Sequence, residues 1–258
     1  MNQIESQKLL WNNHWSTETG TSICDSSIIQ ILNSRFTLEA YSAFKKYISI
    51  KDKRILEAGC GTGRFCCLLS GDFPSSTILG IDISENALKI AESIRLLSGL
   101  NNISFKKGDL FSIDSPDNYF DVVFNEGVIE HFSLDGNPTY KDALKEMVRV
   151  TKPGGKIIVA VPNWCNLIHT FYKWVLKVTK KNFEYGYEKS FKHKELVKLY
   201  REFGLKNIEL DGFYPAHGFY RLQKFSRLFY FPGKILEVLS NDYINRKFGF
   251  EIIVKGIK

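Results

Sequence analysis

The chain is poor in the features that mark secreted, membrane-spanning or metal-stapled proteins. Cysteine is sparse. Cys24, Cys60, Cys66, Cys67 and Cys165 form an odd, scattered set with no metal-ligand spacing, so no metal site is expected. Adjacent Cys66 and Cys67 do not suit a disulfide framework, and a reducing, cytoplasmic location is the expectation. No apolar run approaches the ~18 residues that a membrane-spanning helix needs. Met1 to Leu10 is too polar for a secretory signal. There is no internal repeat and no low-complexity linker.

What is present is globular. The 258 residues are 44% hydrophobic, 24% charged and 14% aromatic, enough for one sizeable domain with a cap. The formal net charge of +7 is unevenly placed. Residues 1–163 hold 17 Lys/Arg against 19 Asp/Glu, whereas 164–258 hold 18 against 9. The same tail carries 21 of the 36 aromatic residues. A basic, aromatic tail suits an anionic, aromatic or lipidic partner, and equally a cap with its lysines in water.

Residues 1–48 read as a helical cover. Ile28, Ile31 and Leu32 have helical spacing, as do Ala40, Phe44 and Tyr47. The rhythm then changes to short apolar strands alternating with helices. Strands are expected at Arg54–Ala58, Thr77–Ile83, Ile103–Lys107, Phe120–Asn125 and Lys156–Val161. Helices are expected from Arg64, from Glu85 (with Ser84 as N-cap), over Asp142–Thr151 and over His193–Phe203. Ala87, Leu88, Ala91, Ile94 and Leu97 form the expected buried face of the second of these. Late strands fall near Asn207–Leu210 and Phe250–Lys255, with an insertion over 213–248. Repeated β-α units predict a mostly parallel, doubly wound α/β sheet. Residues 49–163 make its ligand-binding core, and 164–258 supply cap insertions and the last strands.

The first strand runs into Glu57-Ala58-Gly59-Cys60-Gly61-Thr62-Gly63. Glycines there let the backbone turn sharply and approach a ligand. A dinucleotide fingerprint needs glycine at 66, which is Cys66, so a nicotinamide enzyme is disfavoured. Asp82 ends the second strand, where a carboxylate can accept both hydroxyls of a ribose. Asp109 ends the third, where one can accept from an adenine amino group.

Taken together these segments resemble class I S-adenosylmethionine-dependent methyltransferases. The glycine loop resembles their first motif, Leu79–Ser84 their second-strand motif, and Gly108-Asp109-Leu110 their adenine-contacting motif. Phe120–Asn125 with Val128–His131 resembles their fourth strand and turn, and Arg149–Gly155 the approach to their fifth. The likeness spans about 50–163 and is to the small-molecule set that includes quinone and sterol enzymes. It implies a Rossmann-like seven-stranded sheet of order 3-2-1-4-5-7-6, with strand seven antiparallel. It implies S-adenosyl-L-methionine as cofactor, held by Glu57, Gly59, Cys60, Gly61, Gly63, Asp82, Ile83, Asp109, Leu110, Asn125 and Glu126. Asp82 would bind the ribose, Asp109 the adenine amino group, Glu57 the methionine amino group; Asn125 and Glu126 would floor the sulfonium.

Methyl transfer requires alignment first and a base second. His131, just past strand four, is the candidate base, with His14 a second. Trp11, Trp15, Tyr185 and Tyr187 are candidate acceptor contacts. His169, His193 and His217 are expected to face solvent. The Asn/Asp-Pro-Pro-aromatic turn of exocyclic-amine DNA methyltransferases is replaced by Asn125-Glu126-Gly127-Val128. Cys165 follows strand five, not strand four as the cytosine C5 nucleophile does. Nucleic acid is therefore disfavoured as substrate. Leu167, Phe171, Trp174, Val175 and Val178 share one helical face, with Lys173, Lys177 and Lys180 on another. Leu222, Phe225 and Phe229 repeat the pattern against Arg221, Lys224 and Arg227. Such faces suit a lid over a small or amphiphilic acceptor, with peripheral contact to an anionic membrane. The rival readings are a nucleic-acid or protein methyltransferase docking through the basic tail, and a cofactor-binding subunit without turnover.

Overall fold

The computed structural model describes residues 3–19, 30–49, 51–179 and 186–258. Cys24, Ile28, Lys180 and Tyr185 lie outside them.

Seven strands make one sheet: β1 (Arg54–Ala58), β2 (Thr77–Asp82), β3 (Ile103–Lys107), β4 (Phe120–Glu126), β5 (Thr151–Pro162), β6 (Lys206–Phe213) and β7 (Glu251–Ile257). Their order is β3-β2-β1-β4-β5-β7-β6, as the resemblance implied. The first five run parallel, and β7 runs antiparallel between β5 and β6. In that ladder Phe213 at the end of β6 pairs with Glu251 at the start of β7.

Period-two alternation in the central strands fills both faces of the sheet. Leu56, Val123, Ile157 and Val159 point to one side. There they meet Leu144 and Met147 of α5 (Tyr140–Val150) and Leu196 and Tyr200 of α7 (His193–Glu202). Ile55, Val122, Phe124 and Ile158 point to the other. That side is covered by α2 (Arg35–Lys45), α3 (Arg64–Asp72) and α4 (Glu85–Leu97) through Phe44, Phe65 and Ile90. Each such buried side chain contributes about 1.5–3 kcal/mol.

Ser84 caps α4 by accepting from the Ala87 amide at 3.3 Å. The buried stripe of α4 is Ala87, Ile90, Ala91 and Ile94; Leu97, the last residue of the helix, is exposed. α5 stops at Val150, earlier than Pro153-Gly154-Gly155, because Thr151 is already extended and opens β5.

The helix α1 (Gln3–Thr19) lies across α4. The Ser84 hydroxyl donates to Asn12 Oδ1 at 2.9 Å, and Asn86 Nδ2 donates to the Asn12 carbonyl at 3.0 Å. A cap is built from α6 (Leu167–Val178), α8 (His217–Leu222), α9 (Tyr230–Leu239) and α10 (Asp242–Phe248). Its small core is Tyr172, Leu176 and Leu222, with Phe225 and Phe229 partly packed on it. Of the apolar stripe of α6 read from sequence, only Val175 packs partly on this core. His169, Tyr172 and Leu176 point inward, while Leu167, Phe171, Trp174 and Val178 are exposed. Leu222 ends α8, so Phe225 and Phe229 do not continue that helix.

Candidate active site

A cavity of about 310 Å³ opens at the carboxyl ends of β1 to β4, where open α/β sheets bind ligands. One half is built on the glycine loop. Gly59 (φ +84°) and Gly61 (φ +51°) both hold left-handed backbone. A Cβ on Gly59 would collide with Val128, so packing requires glycine there. A Cβ on Gly61 would meet only Trp15, at 3.9 Å, so this glycine leaves the backbone open to the cavity. The amides of Gly59 and Cys60 donate to the Ile81 carbonyl at 2.8 and 2.9 Å, fastening the loop to β2.

Asp82 closes β2. Its Oδ2 accepts from the Gly61 amide at 2.7 Å and its Oδ1 from the Ser84 amide at 2.8 Å. Burial pushes this carboxyl above its ordinary value, against those amides. Asp109 Oδ1 accepts from the Phe111 amide at 2.9 Å, and Ile83 and Leu110 line the wall beside it. Glu57 also lines the cavity, but its Oε2 accepts from Cys66 of α3, from the amide at 3.1 Å and from Sγ at 2.9 Å. Burial pushes Glu57 up to about 8. Two expected contacts stand back from the cavity. Asn125 is buried and donates Nδ2 to the Ala58 carbonyl, joining β4 to β1. Gly63 opens α3 against the Phe105 ring.

Trp11, His14 and Trp15 of α1 reach the cavity from above. The His14 ring meets the two indoles edge-on, at 5.5 and 4.6 Å.

The other half is more polar. His131 is 4% exposed and its ring lies 5.3 Å from Trp11. Its Nδ1 is 2.7 Å from the Tyr187 carbonyl. A carbonyl only accepts, so Nδ1 carries the proton and Nε2 is the acceptor nitrogen. Nε2 lies 3.8 Å from Glu130 Oε1. Burial lowers the His131 pKa, which keeps the ring neutral. Tyr187 thus supplies its carbonyl, while its side chain is exposed.

Several residues here were not expected in the site from sequence, and one of them engages Glu126. Arg64 Nη2 pairs with Glu126 Oε2 at 2.7 Å. Glu188 Oε1 accepts from His169 Nε2 at 2.9 Å and from Lys173 Nζ at 2.6 Å. Burial alone would raise Glu188, but these partners hold it down at about 2. Glu130 and Glu251 are both pushed well up, chiefly by burial. Phe36, Phe250, His217 and Arg221 complete the wall. His169 and His217 do not face solvent as expected. His169 is fully buried, and burial with the nearby Arg221 charge lowers His217 to about 3. Only His193 stays at the surface, against the Arg246 carbonyl. A lone glutamate in the apolar run Phe250-Glu251-Ile252-Ile253-Val254 was the available signal for Glu251.

The family model described as a methyltransferase domain matches residues 49–209. The chain is 29% identical over 204 residues to demethylmenaquinone methyltransferase of Staphylococcus carnosus, covering 70% of this chain and 82% of that one. It is 30% identical over 180 residues to the enzyme of that name from Geobacillus kaustophilus, covering 63% and 75%. Among solved structures, a SAM-dependent methyltransferase from Thermotoga maritima superposes with a TM-score of 0.67 at 18% identity, covering 98% of this chain and 99% of that one. Phosphoethanolamine N-methyltransferase 2 of Haemonchus contortus gives 0.60 at 18%, covering 91% and 57%. At such identity these two likenesses are of fold.

Proposed function

We propose, from the premise that this chain belongs to the methyltransferase-domain family and is an S-adenosylmethionine-dependent methyltransferase, that it methylates a small organic acceptor carrying a removable proton. The observation that carries this reading is His131. It is a neutral imidazole with its acceptor nitrogen beside Glu130, in a cavity that begins at the glycine loop.

The cofactor half fits its ligand on the open face of Gly61 and the two strand-end carboxylates. Gly59 and Gly61 would lie along the methionine part, with Glu57 toward its amino group. Asp82 would take the ribose hydroxyls and Asp109 the adenine amino group, with Ile83 and Leu110 against the ring. When bound, the cofactor supplies an electrophilic methyl group. The chain's part is to align the acceptor, exclude water and accept one proton at His131 Nε2. Trp11 and Trp15 close the cavity from above.

The demethylmenaquinone enzymes act, by name, on a quinone acceptor, and the exposed cap faces favour an acceptor drawn from a lipid surface. Leu167, Phe171, Trp174 and Val178 on α6 stand in water in the most basic part of the chain, which complements an anionic bilayer. Among the described residues no helix is long and apolar enough to cross a membrane, so this contact is peripheral.

The test is methyl transfer from radiolabelled cofactor onto a panel of phenols, quinols, amines, sugars and lipids, with bulk tRNA and histone peptides beside it. Label on a small molecule is the expected result. Label on RNA or peptide alone overturns the acceptor class, and cofactor binding without any turnover favours a non-catalytic subunit.

A further inference from the structure

Two carboxyl groups in the acceptor half are buried with one oxygen of each unanswered. Glu130 is 2% exposed and Glu251 3% exposed, and both line the cavity. Among the described residues, Oε2 of each has no hydrogen-bond partner. Groups left so are rare in folded proteins, and each calls for an explanation. Glu251 also feels the charges of Glu126 and Glu130.

Two neighbouring carboxylates are already paired. Glu126 has Arg64 at 2.7 Å, and Glu188 has Lys173 at 2.6 Å and His169 at 2.9 Å. The cations felt by Glu130 and Glu251 are Lys173 and Arg64, and each is held by its own carboxylate. Arg221 lies over the Tyr172 ring at 5.2 Å and acts on His217. Among the described residues neither Glu130 nor Glu251 forms an ion pair with a Lys or Arg, and burial pushes both carboxyls up; a cation entering beside them would let them ionise. Among the described residues no three His, Cys, Asp or Glu side chains converge as a metal site would require. The surrounding wall is instead aromatic, from Trp11, Phe36 and Phe250, and ring faces attract organic cations.

We propose that the acceptor is an amine, bound as its ammonium ion by Glu130 and Glu251 with its apolar body against the aromatic wall. This rests on the methyltransferase reading and narrows its acceptor. The ammonium gives one proton to His131 Nε2, leaving a neutral amine with a lone pair. That lone pair forms the new C–N bond while the C–S bond of the sulfonium breaks, its electrons remaining on sulfur. The nitrogen leaves as an N-methyl ammonium ion, and His131 returns its proton to water.

The experiment is calorimetric titration of the full chain saturated with S-adenosylhomocysteine. The probes are 2-phenylethylamine, cyclohexylamine and ethanolamine, each beside the alcohol of the same shape or, for ethanolamine, ethylene glycol. At least one amine should bind tenfold or more tightly than its neutral counterpart. Glu130→Gln and Glu251→Gln should each weaken that amine at least tenfold and leave S-adenosylhomocysteine binding unchanged. Neither variant should melt below the wild type, because each replaces a costly buried carboxyl with a neutral amide. If no amine out-binds its counterpart, or both variants bind the amine like wild type, the proposal falls while the methyltransferase reading stands. If S-adenosylhomocysteine itself does not bind, both fall together.

Discussion

The Gly61 amide lies 2.7 Å from Asp82 Oδ2, so the loop after β1 and the end of β2 are one hydrogen-bonded unit. Removing that carboxylate has two effects. Asp82→Ala should weaken S-adenosylmethionine binding by about 1–3 kcal/mol, the usual cost of stripping buried partners. It should also lower the Tm, because the Gly61 and Ser84 amides lose their acceptor. Titration calorimetry decides the first point, and an unchanged Kd removes Asp82 from the ribose assignment.

Two glycines of the loop should fail differently. Gly59→Ala drives a methyl group into Val128 and should destabilise the fold by about 1–3 kcal/mol. Gly61→Ala meets no such neighbour, so it should cost only about 1 kcal/mol of backbone strain while crowding the cofactor. Thermal melts paired with cofactor titrations separate them. Equal losses of Tm in both would show that Gly61 is not facing open space.

His131→Asn should lower kcat by roughly 10²–10⁴, the range for a lost general base, and leave the cofactor Kd unchanged. The active form is the neutral ring, and burial lowers its pKa below the ordinary 6.5. The acidic limb of the kcat profile should therefore fall below pH 6.5 in the wild type and vanish in the variant. A variant with wild-type kcat would remove His131 from the chemistry.

Glu57 carries a pH signature in stability. Its folded pKa, about 8, lies above the ordinary 4.5, so the folded state binds the extra proton. Its contribution is fully present below pH 4.5 and is lost as pH rises through about 8. Glu57→Gln cannot titrate, so its stability should decline less than that of the wild type between those limits. Parallel urea melts across this range check the sign, and identical slopes would place the titration elsewhere.

If α6 meets lipid, Trp174→Glu should cut sedimentation with vesicles of one part phosphatidylserine to three parts phosphatidylcholine. Neither the Tm nor the cofactor Kd should move, since Trp174 is 56% exposed and lies outside the cavity. Equal sedimentation of both proteins would assign that face to something other than a bilayer.

The sheet and the glycine-loop half of the cavity lining were legible because their signals are local. Each strand is a short apolar run, and Gly59, Gly61, Asp82 and Asp109 sit at strand ends within one stretch of chain. The acceptor half is not local. Trp11, Glu130, Glu188, His217 and Glu251 come from distant segments that only the closed fold brings together. The inward turn of α6 was hidden for another reason. Its apolar residues surround most of the helix, so periodicity alone could not say which face packs inward, and packing chose His169, Tyr172 and Leu176.

Phe213 and Glu251 are paired rungs of one antiparallel ladder, so everything between them leaves the sheet and returns to the same place. The segment carrying His217 and Arg221 is in topological terms the loop of a very long hairpin. Lengthening or replacing such a loop costs little closure entropy and leaves strand register untouched. One wall of the cavity therefore hangs on a segment that can vary in length without disturbing the strands that carry the glycine loop.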